Sequence, residues 1–276
     1  MSVATDSNLV RGEDGHWNRV VGPWSEDKHH FLARYLDAFT TSMREKWSSL
    51  HYVDLFSGPG RCRIRDTQRD VDGSPLIAAK TQHKFTRLHF CDIDPRCTES
   101  LQARLAALPQ PSVPQVLCGD ANEKIHEIVE RIPMRGSLTL AFLDPTGLHL
   151  HYATLKVLAA RRCDLILFFP DRTDARRNLE RYYESQKDSN LDLTFGPDSG
   201  WRTEWDECPK VETLRQIYGR QLRQLGYCHF DPKRICDSGR PLYLLIFCSG
   251  HRTGLTIWRN VSSVDPNGQR QLPFAE

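Results

Sequence analysis

Asp54-Leu55-Phe56-Ser57-Gly58-Pro59-Gly60 ends the short apolar run that begins at His51, and its reading decides the fold. A strand that closes on an acid and then turns through two glycines lets the backbone approach a bound molecule closely. The theme recurs down the chain. Leu88 to Cys91 ends in Asp92-Ile93-Asp94-Pro95, and Gln115 to Cys118 ends in Gly119-Asp120-Ala121-Asn122. Leu138 to Leu143 ends in Asp144-Pro145-Thr146-Gly147, and a fifth run covers Asp164 to Phe169. Helical stretches separate these runs. Gly73-Ser74-Pro75 opens one, with Ser74 as cap and Pro75 at the first helical position. Others reach from Asp94 to about Ala107 and from about Glu123 to Arg131. Continuous apolar strands alternating with helices mark a parallel sheet covered on both faces.

Working outward, Pro23-Trp24-Ser25-Glu26-Asp27 reads as a helix start with Ser25 as cap. Phe31, Tyr35, Phe39, Met43 and Trp47 then recur every four residues, so an amphipathic helix is expected over 25–47. Beyond the fifth strand the pattern gives a helix near Asp174–Ser185, a polar loop to Glu207 and a helix from Val211 to Leu225. Two strands, Tyr227–Ile235 and Leu242–Cys248, and a helix over Gly254–Val261 follow. The expectation is α/β: a Rossmann-like, mostly parallel seven-stranded sheet with an antiparallel final strand and helices on both faces. A single domain would cover 23–276, with its core at 50–170 and the C-terminal helices and strands at 171–276. Residues 1–22 read as a flexible leader.

Composition narrows the class. The 276 residues are 39% hydrophobic and 26% charged, the mix of a globular protein. The longest apolar run, Leu165 to Pro170, is too short to span a bilayer, and the N-terminus has no apolar signal core. Nine cysteines are scattered with no C-x-x-C pair, and several lie in strand-like runs. Reduced thiols, a cytoplasmic location, no metal and no membrane partner are expected. Net charge is only +2, so distribution says more. Arg61, Arg63, Arg65 and Arg69 follow the glycine turn, and Arg172, Arg176, Arg177 and Arg181 follow the fifth strand. They would either track a phosphate backbone or form solvated faces.

Ligands of an open parallel sheet lie beyond the carboxyl ends of its strands. Here four successive strands end in acids. Asp92 is placed to accept from ribose hydroxyls and Asp120 from an adenine amine, which describes an adenosine-containing ligand. Asp94 reads better as a helix cap before Pro95. NAD shares the ribose acid, but Gly58-Pro59-Gly60 is not G-x-G-x-x-G, and the next helix starts only at Ser74. No P-loop occurs. S-adenosylmethionine (SAM) has no phosphate to cradle and fits better.

Asp54 to Gly60 resembles motif I of class I methyltransferases. The whole arrangement resembles the bacterial three-Cys-motif partner family over roughly residues 20–270. The resemblance is carried by Pro23-Trp24-Ser25 with Lys28, Tyr52 to Gly60, Gly73-Ser74-Pro75, Phe142 to Gly147, Asp164 to Pro170, and Leu242 to Trp258. It implies a class I methyltransferase fold, SAM as cofactor and a companion protein carrying three cysteines. Asp54, Phe56, Gly58, Gly60, Asp92, Asp120 and Ala121 would hold SAM. Asp144-Pro145 looks like the D-P-P-[YF] loop of amino-directed nucleic-acid methyltransferases, so Asp144 and Pro145 are the candidate catalytic residues. Thr146, Arg61, Arg63 and Arg172 would meet the substrate. Thr146 departs from the aromatic of that loop, and His149, His151, Tyr152, Phe168 or Phe169 would have to supply a stacking ring. No Pro-Cys dipeptide occurs, which removes a C5-pyrimidine mechanism. Lys28 would either guard the cofactor pocket or serve as an ordinary residue of the first helical turn. The expected activity is methylation of an amino nitrogen on a nucleic acid, RNA ahead of DNA. Two rival expectations are a binding module for the three-cysteine companion, and a methyltransferase of a protein or small molecule.

Overall fold

The structure is a computed structural model that describes residues 8–171, 179, 186–237 and 239–264. Five strands run parallel: β3 (Ser49–Asp54), β6 (Arg87–Asp92), β7 (Gln115–Cys118), β8 (Ser137–Leu143) and β9 (Cys163–Phe169). Two more, β10 (His229–Asp237) and β11 (Arg240–Ser249), complete the sheet. Its order is β10-β11-β9-β8-β3-β6-β7, with β11 antiparallel to both neighbours. This order and these directions are those of the class I methyltransferase fold, and the final strand is the antiparallel one. Reversal of order at β3 and β8 puts the switch point between their carboxyl ends, where such sheets take ligands.

Strand residues alternate between two cores. Tyr52, Phe90, Leu140, Phe142, Ile166, Phe168 and Phe247 face one side. There they meet α1 (Trp24–Met43), α2 (Ser74–Ala79), α3 (Pro95–Ala106) and α9 (Arg252–Ser262). Val53, Cys91, Leu143, Leu165, Leu167 and Phe169 face the other. They meet α4 (Ala121–Val129), α5 (Tyr152–Ala159) and α8 (Val211–Gln224). Both faces are dry, which is why the strand sequences are continuously apolar rather than alternating.

Four expectations need correction. First, the leader is not loose where it is described. β1 (Leu9–Arg11) and β2 (Trp17–Val21) join β4 (Arg61–Ile64) and β5 (Asp70–Asp72) in a second sheet, ordered β1-β2-β4-β5. The arginine-rich stretch after Gly60 supplies half of it. Second, α1 ends at Met43 rather than Trp47. Its N-cap is Pro23 with no side-chain cap, and Ser25 is buried within the first turn. Ser74 likewise sits inside α2, with Gly73 as the cap. Third, the polar loop to Glu207 contains α6 (Asn190–Phe195) and α7 (Trp201–Glu207). A capping box between Ser189 and Asp192 starts α6, and Leu191, Phe195, Trp201 and Trp205 are buried against the core. Fourth, Cys118 lies in one of the strand-like runs, where a cysteine is expected to be buried, but it is exposed. The helix expected near Asp174–Ser185 lies outside the described residues.

Arg104 of α3 fastens the second sheet to the first. Its guanidinium donates to both Asp14 carboxylate oxygens (2.8 and 2.9 Å), to the carbonyls of Trp17 (2.7 Å) and Pro59 (2.6 Å), and to Asn18 Oδ1 (2.7 Å). One buried side chain thus ties the β1–β2 turn, β2 and the glycine turn together. It also holds the Asp14 carboxyl at about 2, below the usual carboxylate range. Arg104→Met is expected to cost about 3 kcal/mol, the low end for breaking a buried pair because Asp14 is partly exposed. Hydrogen exchange should show residues 8–21 losing protection first. Equal protection across the chain would assign Arg104 a minor role.

Candidate functional site

The parallel strands bring Asp54, Asp92, Asp120 and Asp144 to one end of the sheet. After Asp54 the chain turns tightly. Phe56 N–H donates to Asp54 Oδ1 (3.2 Å), Ser57 N–H to the Cys91 carbonyl (2.9 Å) and Gly58 N–H to Asp92 Oδ2 (2.8 Å). Gly58 has φ +63°, and a Cβ built there would meet only Arg19 Nε, at 3.5 Å. The turn therefore leaves a cradle above Gly58. Gly60 differs: a Cβ there would press on Leu101 (3.0 Å) and Leu76 (3.4 Å). It permits helix packing and does not face the cradle.

Asp54 is fully buried. Burial pushes its carboxyl up to about 7, against the lowering pull of the Ser74 hydroxyl and the Phe56 N–H. Its Oδ2 makes no hydrogen bond of good geometry, and neither do the buried Ser57 Oγ and Tyr52 hydroxyl. The Tyr52 and Ser74 hydroxyls still act on the Asp54 carboxyl, so Ser57 Oγ is the buried polar atom of this turn left without a partner, an arrangement that is unfavourable unless a ligand completes it. Asp92 is also buried and anchored, since its Oδ1 accepts from Asp94 N–H (2.9 Å). Arg19 of β2 approaches its other oxygen at 3.6 Å. Asp94 caps α3 through Arg96 N–H (2.9 Å), as its sequence context predicts. Asp120 is exposed and caps α4 through Asn122 N–H (2.7 Å), with Ala121 buried behind it.

The neighbouring strand end is built around Asp144, whose Oδ2 is bonded by the ammonium of Lys28. Lys28 is buried, and its Nζ lies 5.0 Å from the centre of the Phe168 ring. Tyr243 of β11 meets Phe168 edge to face at 4.7 Å. Pro145 is buried and Thr146 exposed. Asn122 steadies the loop beyond. It donates to the His149 carbonyl (2.9 Å), and its Oδ1 accepts from His151 N–H (3.0 Å) and the Thr154 hydroxyl (2.7 Å).

Of the rings considered as a substitute for Thr146, Phe168 is the one that shares a partner with Asp144. Phe169 points to the opposite face and stacks on Tyr218 at 4.6 Å. Tyr152 lies against Gly196. Two of the substrate arginines are already engaged: Arg63 holds Asp70 through two bonds (2.6 and 2.9 Å), and Arg61 lies 3.7 Å from Asp14 and 3.8 Å from Asp72. These pairs hold the second sheet together. Arg172 lies outside the described residues. Tyr243, Asn122 and Arg19 were not singled out by sequence. They reach the site by pairing of distant segments, which no local motif signals. Among the described residues no group of three or more His, Cys, Asp or Glu side chains is placed to hold a metal.

The likenesses to known proteins are structural. No family model matches the chain, and no curated protein matches its sequence. Protein LPL1258 from Legionella pneumophila, of family DUF519, aligns at 11% identity over 83% of this chain and 89% of its own, with a TM-score of 0.49. An O-methyltransferase from Bacillus cereus, solved with S-adenosylhomocysteine (SAH), aligns at 10% identity over 77% and 80%, with a TM-score of 0.46. The N-methyltransferase NodS from Bradyrhizobium japonicum aligns at 12% identity over 83% and 98%, with a TM-score of 0.42. The fold of this chain rests on its strand order and directions. No helix among the described residues is long and apolar enough to cross a membrane.

Proposed function

We propose that this protein is a SAM-dependent methyltransferase that modifies an amino nitrogen of a nucleic acid, RNA ahead of DNA, in the cytoplasm. The observation that carries the cofactor is the buried Ser57 Oγ, left without a partner beside the open cradle at Gly58 and next to the fully buried Asp54 carboxyl. SAM would supply an electrophilic methyl group. Asp92 would accept from ribose hydroxyls, Asp120 from the adenine amine, and the Asp54 and Ser57 oxygens would take the polar end. Asp144, with Oδ2 fixed by Lys28, keeps Oδ1 to receive an N–H of the acceptor. That orients the nitrogen lone pair, which is the main demand of an in-line displacement. RNA is favoured because an unstacked base costs less to present.

Isothermal titration with SAM and SAH is the first test. Asp92→Ala should weaken SAM by about 1–3 kcal/mol, the scale of an unsatisfied buried polar group. Unaltered affinity would remove Asp92 as the ribose acid. Tritiated-methyl transfer to bulk RNA, DNA and protein then sorts the acceptors, and salt-sensitive binding marks the nucleic-acid reading. A second reading keeps the three-cysteine companion. Thr146 is exposed and brings no ring to the acceptor side, so the companion would cover Asp144 and complete the site. Transfer that appears only when the companion is added favours that reading. Transfer to protein alone favours the third.

A further inference from the structure

Lys28 stands one turn inside α1 and is 8% exposed. Its stem is packed, its ammonium lies over Phe168, and its charge meets Asp144. A lysine held at both stem and head does not swing into solvent, so its charge is a fixed part of the acceptor side. The Asp144 side chain is 25% exposed and looks outward past this pair.

A lone carboxylate at that place would attract any cationic amine. Paired with Lys28 it is neutral as a unit, and it offers an arriving ammonium nothing in return for losing water. It still offers Oδ1 as a hydrogen-bond acceptor. The exocyclic amine of a nucleobase is neutral and needs only that. We propose that Lys28 is a specificity-determining residue whose fixed ammonium beside Asp144 admits a neutral nucleobase amine and turns away an alkylammonium, such as a lysine side chain or a polyamine. The inference rests on Asp144 as the residue that holds the acceptor. It makes discrimination a matter of built-in repulsion as well as attraction.

Two cofactor analogues test it without knowledge of the substrate. SAH and sinefungin share their adenosine and amino-acid ends. Sinefungin carries an ammonium-bearing carbon where SAM carries its methylated sulfur, so it thrusts a cation toward the acceptor. Titration of the full chain should show SAH binding changed by less than about threefold in Lys28→Met, while sinefungin binds at least about tenfold tighter relative to SAH. Lys28→Arg should keep the wild-type ratio. Lys28→Gln, which can keep a hydrogen bond to Asp144 without the charge, should shift the ratio as Lys28→Met does, and covers a folding defect in the latter. An unchanged ratio in either neutral variant that still binds SAH overturns the inference and leaves the cofactor reading standing. Failure of the wild-type chain to bind SAH at all overturns the cofactor reading, and this inference with it.

Discussion

Replacing Asp144 by alanine is expected to lower methyl transfer by about a thousandfold or more while SAM and SAH still bind. The side chain lies at the carboxyl end of β8, one strand over from Asp54, and one of its oxygens is committed to Lys28. On the proposed reading, removing it takes away the group that would fix the acceptor lone pair and leaves the acids proposed for the cofactor untouched. It also strands the Lys28 ammonium in a buried position, so a loss of stability will accompany the loss of turnover. The double variant Lys28→Met/Asp144→Ala separates the two effects. Its stability should recover, because the stranded charge is gone, but its turnover should not. Asp144→Asn, which keeps an oxygen in place, should fall between. If Asp144→Ala retains wild-type turnover, Asp144 leaves the mechanism, and the loop from Pro145 to Gly147 becomes a structural turn.

The parallel strands were legible because the chemistry of each strand is local. A run such as Leu138 to Leu143 is apolar on both sides because both sides of β8 are covered, and the acid after it sits where the strand stops. Asp54, Asp92, Asp120 and Asp144 could therefore be placed at one end of one sheet from their spacing alone. What sequence did not reveal depends on pairing at a distance. The first residues look like a leader because Asn18 and Arg19 are polar. Yet they are held by Arg104, whose partners span Asp14 to Asn18 and Pro59. The acids beside Arg61 and Arg63, Asp72 and Asp70, come into place only through the pairing of β4 with β5. Trp201 and Trp205 lie in a stretch polar enough to read as loop, and only packing against α8 and the core makes them buried. Tyr243 borders the acceptor side through the pairing of β11 with β9, where Leu244 lies opposite Phe169.

Asp54 gives the second large effect, and it depends on pH. Burial raises its carboxyl from 3.8 to about 7 in the folded chain. Between these values the folded chain binds the proton and the unfolded chain does not, so this group lowers stability as pH rises. The penalty is absent below pH 3.8, grows through the window and is complete above about 7. At 1.36 kcal/mol per unit, the full penalty is on the order of 4 kcal/mol. Asp54→Asn removes the titration and keeps the size. Urea unfolding at acid, neutral and alkaline pH should therefore show the variant gaining on the wild type by about that amount from pH 4 to pH 8. Any pH-independent change in hydrogen bonding with Phe56 or Ser74 shifts both ends equally and leaves the slope intact. A gap that stays constant with pH would mean that Asp54 is ionised throughout. A bound cation reverses the penalty, because it favours the carboxylate. SAM should then bind the wild-type chain more tightly as pH rises toward 7 and release a proton on binding at pH 6, while Asp54→Asn shows neither. On this reading the buried acid at the end of β3 would turn a cost to the empty fold into affinity for a cationic ligand. Absence of proton release from the wild type, with SAM bound, would place Asp54 away from the ligand's positive charge.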